Sequence, residues 1–327
     1  PPQGGNGAPV YAQPVQQPVY YAPVQPPKWA DPARLEQKEL RRAASRLSFA
    51  TMTSLPIQVL WTTLATLILT VCGVNFMGPN TIGGFPPTAY YLISSIASFL
   101  SIVLPFSFFL FFGKRKLSDT VLVEKNGVLN SVLLVFAGLA VSVLMNIPAN
   151  LISQLLEGAG LNGDANTADL LAMTPVQALT MFVSVVLVAP VTEEFAFRSV
   201  TTAVMRRWGD WPAVIFSALI FGMAHYSIQS LPVVLMAGFV MALLYVRTRN
   251  IWVNIFVHML NNLLATLPIA LEGLVGADAA NIASNLLTYI VYGLGLIALV
   301  VLLIRNFTGH KVFRTPMQRG VPVRGKA

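Results

Sequence analysis

A chain of 327 residues in which 55% are hydrophobic and only 10% charged lies far from the water-soluble globular range, where charged residues alone reach about 25%. The single cysteine, Cys72, excludes an intramolecular disulfide and a cysteine-cluster metal site. A formal net charge of +8 does not indicate nucleic acid here, because the Lys and Arg residues flank apolar runs. That is the placement of membrane topology signals and lipid-headgroup contacts.

Residues 1–30 are rich in Pro, Gln and Tyr, with no basic segment leading into an apolar core; they read as a disordered cytoplasmic tail and not as a signal peptide. Residues 31–50 read as a juxtamembrane amphipathic helix lying along the membrane surface, with Asp31 placed to cap it and Pro32 at its first position. Apolar runs follow at 55–73, 88–112, 128–150, 175–205, 212–227, 231–247, 251–269 and 284–305. Most are long enough for a hydrocarbon core of about 30 Å, and the fifth and sixth are short. The expected fold is all-α: a polytopic membrane helix bundle of about eight transmembrane helices over 51–305, with a basic cytoplasmic tail at 306–327.

If every run crosses, the basic residues fall on one side. The loops near 74–87, 151–174, 228–230 and 270–283 hold no Lys or Arg, and apart from Arg247 and Arg305, which end their runs, only Arg198 of the 21 basic residues lies within an apolar run. The positive-inside rule then places both termini in the cytoplasm.

Ionisable side chains inside a spanning helix cost on the order of 2.5–3.5 kcal/mol each, so each calls for a reason. The chain has Glu193, Glu194 and Arg198 in the fourth run, His225 ending the fifth, and His258 with Asn261 and Asn262 in the seventh. Counting about 1.5 Å per residue from the basic loops puts Glu193 and His225 roughly 21 Å up their helices, and His258 and Asn262 roughly 13 and 20 Å up theirs. All four share a layer. Glu194 and Arg198 are spaced i, i+4 for an ion pair, which leaves Glu193 the freer carboxylate and the candidate base. His258 and Asn262 share a face as two hydrogen-bond donors, an arrangement that suits an oxyanion hole. Singly, the charges could be a structural ion cluster, His225 a helix cap and Asn262 helix-to-helix glue. Four polar intrusions at one depth favour a site.

Three motifs stand in order: Glu193-Glu194-Phe195-Ala196-Phe197-Arg198 (EExxxR), Phe221 to His225 (FxxxH) and His258 to Asn262 (HxxxN). In them the chain resembles the CAAX-prenyl-endopeptidase and bacteriocin-processing (CPBP, or Abi) family of intramembrane proteases, over roughly 175–270. Ser199 stands where many bacterial members have Gly. The resemblance implies an endopeptidase of a bacterial plasma membrane acting on a membrane-associated or lipidated, CAAX-like peptide or protein. Glu193 and His225 would activate water, His258 and Asn262 would stabilise the oxyanion, and Glu194 and Arg198 would support them. No cofactor is expected. Glu193, His225 and His258 are also a set that Zn2+ accepts, which makes zinc the alternative, although no HExxH pair and no extra carboxylate base accompany them. The other classes open to the same residues are a transporter that relays protons and a non-catalytic immunity or scaffold protein.

Overall fold

The computed structural model describes residues 32–74, 81–161, 173–310 and 312–315; the expected tail over 1–30 and the expected cap at Asp31 lie outside them. Within them the chain is a helix bundle with no strand. In chain order the long helices are α1 (Pro32–Met52), α2 (Ser54–Val71), α3 (Pro87–Phe112), α4 (Val128–Gly158), α5 (Pro175–Trp208), α6 (Asp210–Met223), α7 (Leu231–Thr248), α8 (Ile251–Val275) and α9 (Ala277–Phe307), with a single helical turn at Leu117–Thr120 between α3 and α4. Seven stretches are long and apolar enough to cross a membrane, α1 and α2 counting as one from Ala33 to Val71; α6, at 14 residues, is the shorter eighth. The polytopic all-α expectation holds, with the short fifth run now seen as a single helix of about 21 Å.

Two loops drawn from hydropathy are helical at their edges. α4 continues past Pro148 to Gly158, and α8 runs through Pro268 to Val275, so that Gly276 alone (φ +83°) separates it from α9. Polar residues such as Ser153, Gln154 and Glu272 end an apolar run but not a helix. At about 46 Å, the 31-residue α4 and α9 exceed the hydrocarbon thickness.

The burial pattern is that of a membrane protein turned outward. Leu60, Leu67, Phe111, Phe112, Ile297 and Phe307 are exposed, whereas Glu194, Arg198, Ser199, Thr201, Thr202, Ser217 and Asn254 are fully buried. Without a hydrophobic driving force between helices in lipid, close approach and interior polar contacts must hold the bundle. α4 is the central column. A Cβ at its Gly138 would stand 2.8 Å from Leu244 and 3.0 Å from Val257, and one at Gly295 of α9 would stand 2.5 Å from the Phe136 carbonyl. Small residues at these points let α7, α8 and α9 close on α4.

The basic loops meet at one end. Glu124, after α3, pairs with Arg249 (3.4 Å) and Arg314 (3.0 Å), and its backbone N–H donates to the Arg249 carbonyl. Arg314 N–H donates to the Arg247 carbonyl, and Arg207 of α5 pairs with Glu39 of α1. Four basic segments far apart in sequence thus gather on one face of the bundle, as the charge sidedness requires.

Candidate active site

α5 carries the first motif, and its winding is unusual. It widens from α- to π-helical pairing over Phe182–Val188 and again over Glu194–Thr202, a feature often found at functional sites. Wide turns loosen carbonyls, and side-chain hydroxyls answer them: Thr201 and Thr202 donate five residues back to the Ala196 and Phe197 carbonyls (3.0 Å each), and Ser217 of α6 donates to Phe197 O at 2.7 Å. The two glutamates sit where α winding gives way to π, at the junction of Glu193 and Glu194.

Both carboxylates reach the same imidazole. His258 Nδ1 stands 3.0 Å from Glu194 Oε1, and His258 Nε2 stands 3.7 Å from Glu193 Oε2. A carboxylate only accepts, so Nδ1 carries the proton donated to Glu194 and Nε2 faces Glu193. Glu194 is further held by Arg198 Nε at 3.2 Å and by Asn254 Nδ2 at 3.3 Å. It is saturated. Glu193 Oε2, by contrast, is buried without a hydrogen-bond partner, as expected of the freer carboxylate.

The motif phenylalanine explains itself. The Phe221 ring lies 4.2 Å under the Arg198 guanidinium, 5.3 Å from Phe197, 4.8 Å from His225 and 6.0 Å from His258. Its π face supplies the buried cation, whose two terminal nitrogens have no hydrogen-bond partner, with a cation–π contact. One turn on, the Phe221 carbonyl takes a hydrogen bond from His225 Nδ1 at 2.8 Å. That fixes the tautomer and leaves His225 Nε2 an acceptor.

Glu193 and His225 line one cavity of about 140 Å³, whose wall also includes Thr51, Ser54, Gln58, Ser98, Ser101 and Tyr226. It has room for several water molecules. Tyr226 follows His225 in a left-handed conformation (φ +50°), costing on the order of 1–2 kcal/mol. Its hydroxyl is tied 2.6 Å from Ser54 Oγ, at the α1–α2 junction. The strain persists because this bond pins the histidine-bearing turn to the N-terminal helices.

Asn262 lies apart from the glutamates. Its Nδ2 donates to the Val185 carbonyl at 2.8 Å. In the π segment Ala189 N–H pairs with Ser184 O, so the next donor, to Val185 O, would be residue 190, which is Pro190 and has no N–H. The amide of Asn262 replaces it. Replacing Asn262 by Leu is therefore expected to cost about 1–3 kcal/mol of stability. In a Pro190→Ala background, which restores a backbone donor, the cost should shrink; equal costs in the two backgrounds, read from denaturation midpoints, would reject this pairing.

Of the expected site residues, the structure joins Glu193, Glu194, Arg198 and His258 in one network and sets Glu193 and His225 on one cavity. His258 and Asn262 stand behind that cavity and not on its wall. Among the described residues no three His, Cys, Asp or Glu side chains stand together so as to hold a metal ion. The sequence reading passed over Asn254, buried one turn before His258 and bonded to both Glu194 and the Met241 carbonyl (2.6 Å). Its signal was available, a polar residue at i−4 on the histidine's own face.

Fold and cluster together define a polytopic helical membrane protein with a carboxylate–imidazole centre buried among its helices. Comparison with known proteins agrees with the motifs: residues 175–264, which hold all three, match the family described as Type II CAAX prenyl endopeptidase Rce1-like. The chain is also similar to the Bacillus subtilis (strain 168) protein named "Putative membrane peptidase YdiL", 31% identical over 140 residues, covering 42% of this chain and 57% of that protein. The chain thus spans little more than half the length of that curated relative. No solved structure gives a significant match.

Proposed function

We propose that the protein is an intramembrane endopeptidase that hydrolyses a peptide bond of a membrane-associated or lipidated, CAAX-like substrate in a bacterial plasma membrane, with both termini cytoplasmic. The observation that carries this reading is the pair of unpartnered acceptors, Glu193 Oε2 and His225 Nε2, on one small polar cavity inside an apolar bundle. Two acceptors without donors are a place for water, and a carboxylate beside that water is a base.

In this mechanism Glu193 takes a proton from the water while His225 Nε2 accepts its other hydrogen. The hydroxide oxygen adds to the scissile carbonyl carbon, and the oxyanion that forms is stabilised by His258 and by the second amide hydrogen of Asn262. The C–N bond then breaks as Glu193 returns the proton to the leaving amine. Glu194, Arg198 and Asn254 hold His258 in place. No metal takes part.

The test uses the purified full chain in proteoliposomes with a panel of farnesylated CAAX peptides, other lipidated peptides and single-span membrane peptides, products being read by mass spectrometry. Cleavage at a defined bond, undiminished by a chelator, is expected. No cleavage across the panel would overturn the endopeptidase reading, and cleavage lost to the chelator and restored by Zn2+ would overturn the metal-free mechanism.

A further inference from the structure

A second cavity lies near the basic end, apart from the one that Glu193 lines. A groove of about 660 Å³ runs between the first turns of α4 and α8, within the size range of small-ligand pockets. Its lining is sorted by height. Lys125, Asn126 and Asn250 stand at the mouth, among the basic loops; Val132, Val135 and Phe136 of α4 and Val253, Phe256 and Leu260 of α8 line the interior. From Val128 to Phe136 the lining descends about 12 Å along the helix axis, parallel to the direction in which a lipid tail lies. Trp252 is half exposed on its wall, at the level where interfacial tryptophans sit.

The mouth carries surplus positive charge. Lys125 is exposed and makes no ion pair among the described residues, while the neighbouring acid, Glu124, is consumed by Arg249 and Arg314. The polar mouth groups are fixed: Asn126 Nδ2 donates to the Thr248 carbonyl (3.3 Å), and Asn250 Nδ2 donates to the Glu124 carbonyl (2.9 Å). The groove is separate from the catalytic layer. Phe256 and Leu260 face it, whereas Asn254 and His258 point from another side of the same helix toward Glu194.

From this sorted polarity we infer that the groove between α4 and α8 is a binding site for one anionic phospholipid of the leaflet at the basic end, its phosphate beside Lys125 and an acyl chain along Val132, Phe136, Phe256 and Leu260. On the positive-inside rule that leaflet is the cytoplasmic one, where anionic headgroups and juxtamembrane lysines attract each other. The inference does not depend on the protease reading.

Trp252 reports on the site directly. The full chain is reconstituted in phosphatidylcholine vesicles with increasing fractions of brominated phosphatidylglycerol or brominated phosphatidylcholine, and the quenching of Trp252 is taken as the difference between wild type and Trp252→Phe. Half-maximal quenching is expected at an about fivefold lower fraction of the glycerol lipid, the effect of one lysine at such a surface. Lys125→Gln should erase the difference and Lys125→Glu reverse it, with peptide cleavage by these variants unchanged. Equal quenching by both lipids in the wild type would assign the groove to unselected bilayer lipid and overturn the proposal. A preference that survives Lys125→Glu would overturn it as well. Native mass spectrometry of the detergent-extracted chain gives a second readout, retained phosphatidylglycerol in wild type and not in Lys125→Glu.

Discussion

Glu193→Gln is expected to lower peptide cleavage by about 10³-fold while leaving the unfolding midpoint in detergent within about 0.5 kcal/mol of wild type. The two parts of this result have separate causes. Gln keeps the size of the side chain and can still accept a hydrogen bond, but an amide cannot hold the proton of an attacking water. Stability is spared because Glu193 Oε2 has no hydrogen-bond partner to lose, His258 Nε2 standing 3.7 Å away. Undiminished cleavage in this variant would remove Glu193 from the mechanism; loss of cleavage together with a large drop in the midpoint would make it a structural residue.

The opposite signature is expected at Arg198. This side chain and Glu194 are both fully buried and 3.2 Å apart, and removing one partner of such a pair leaves an uncompensated buried charge, at a cost of 3–5 kcal/mol. His258 and Asn254 still reach Glu194, so Arg198→Met should cost about 3 kcal/mol, at the lower end of that range. Adding Glu194→Gln should recover part of the loss, because the stranded charge is then gone. A denaturant titration of both variants measures this. A double variant no more stable than Arg198→Met would show that the stranded charge is not what makes Arg198 matter.

How far the sequence revealed these features depends on what each one leaves in it. Spanning helices were legible because about 20 apolar residues are a physical requirement, and the gathering of Arg207, Arg249 and Arg314 with Glu39 and Glu124 at one end follows from the spacing of basic loops. The pairing of Glu194 with Arg198 was legible too, since four residues bring two side chains together on a helix. The far ends of α4 and α8 were not, because hydropathy reports where lipid ends and not where a helix ends. The walls of the Glu193 cavity also escaped notice: Thr51, Ser54, Ser98 and Ser101 are small hydroxyl residues that lipid-embedded helices tolerate anywhere, and nothing local marks those that face inward. From sequence, Asn262 is a candidate donor to substrate. Its first commitment is to a carbonyl that a proline 72 positions earlier leaves without a backbone partner, a connection visible only when α5 and α8 are side by side.

The wide winding of α5 over Glu194–Thr202 bears on how such a site tolerates insertions and deletions. A π turn holds one residue more than the α turn that replaces it. Removing a single residue from Phe195–Phe197 would let the strand of peptide groups close into ordinary α pairing with little change in span, so the bundle and its loops could survive. The segment beyond the cut would keep its register, because the wide turn had absorbed the extra residue, and Arg198 would stand three residues from Glu194, still on its face. A lesion of one residue here would thus be mild both for insertion into the membrane and for the charges that insertion brings together, whereas the same lesion in an α-helical stretch would turn everything beyond it by about 100°.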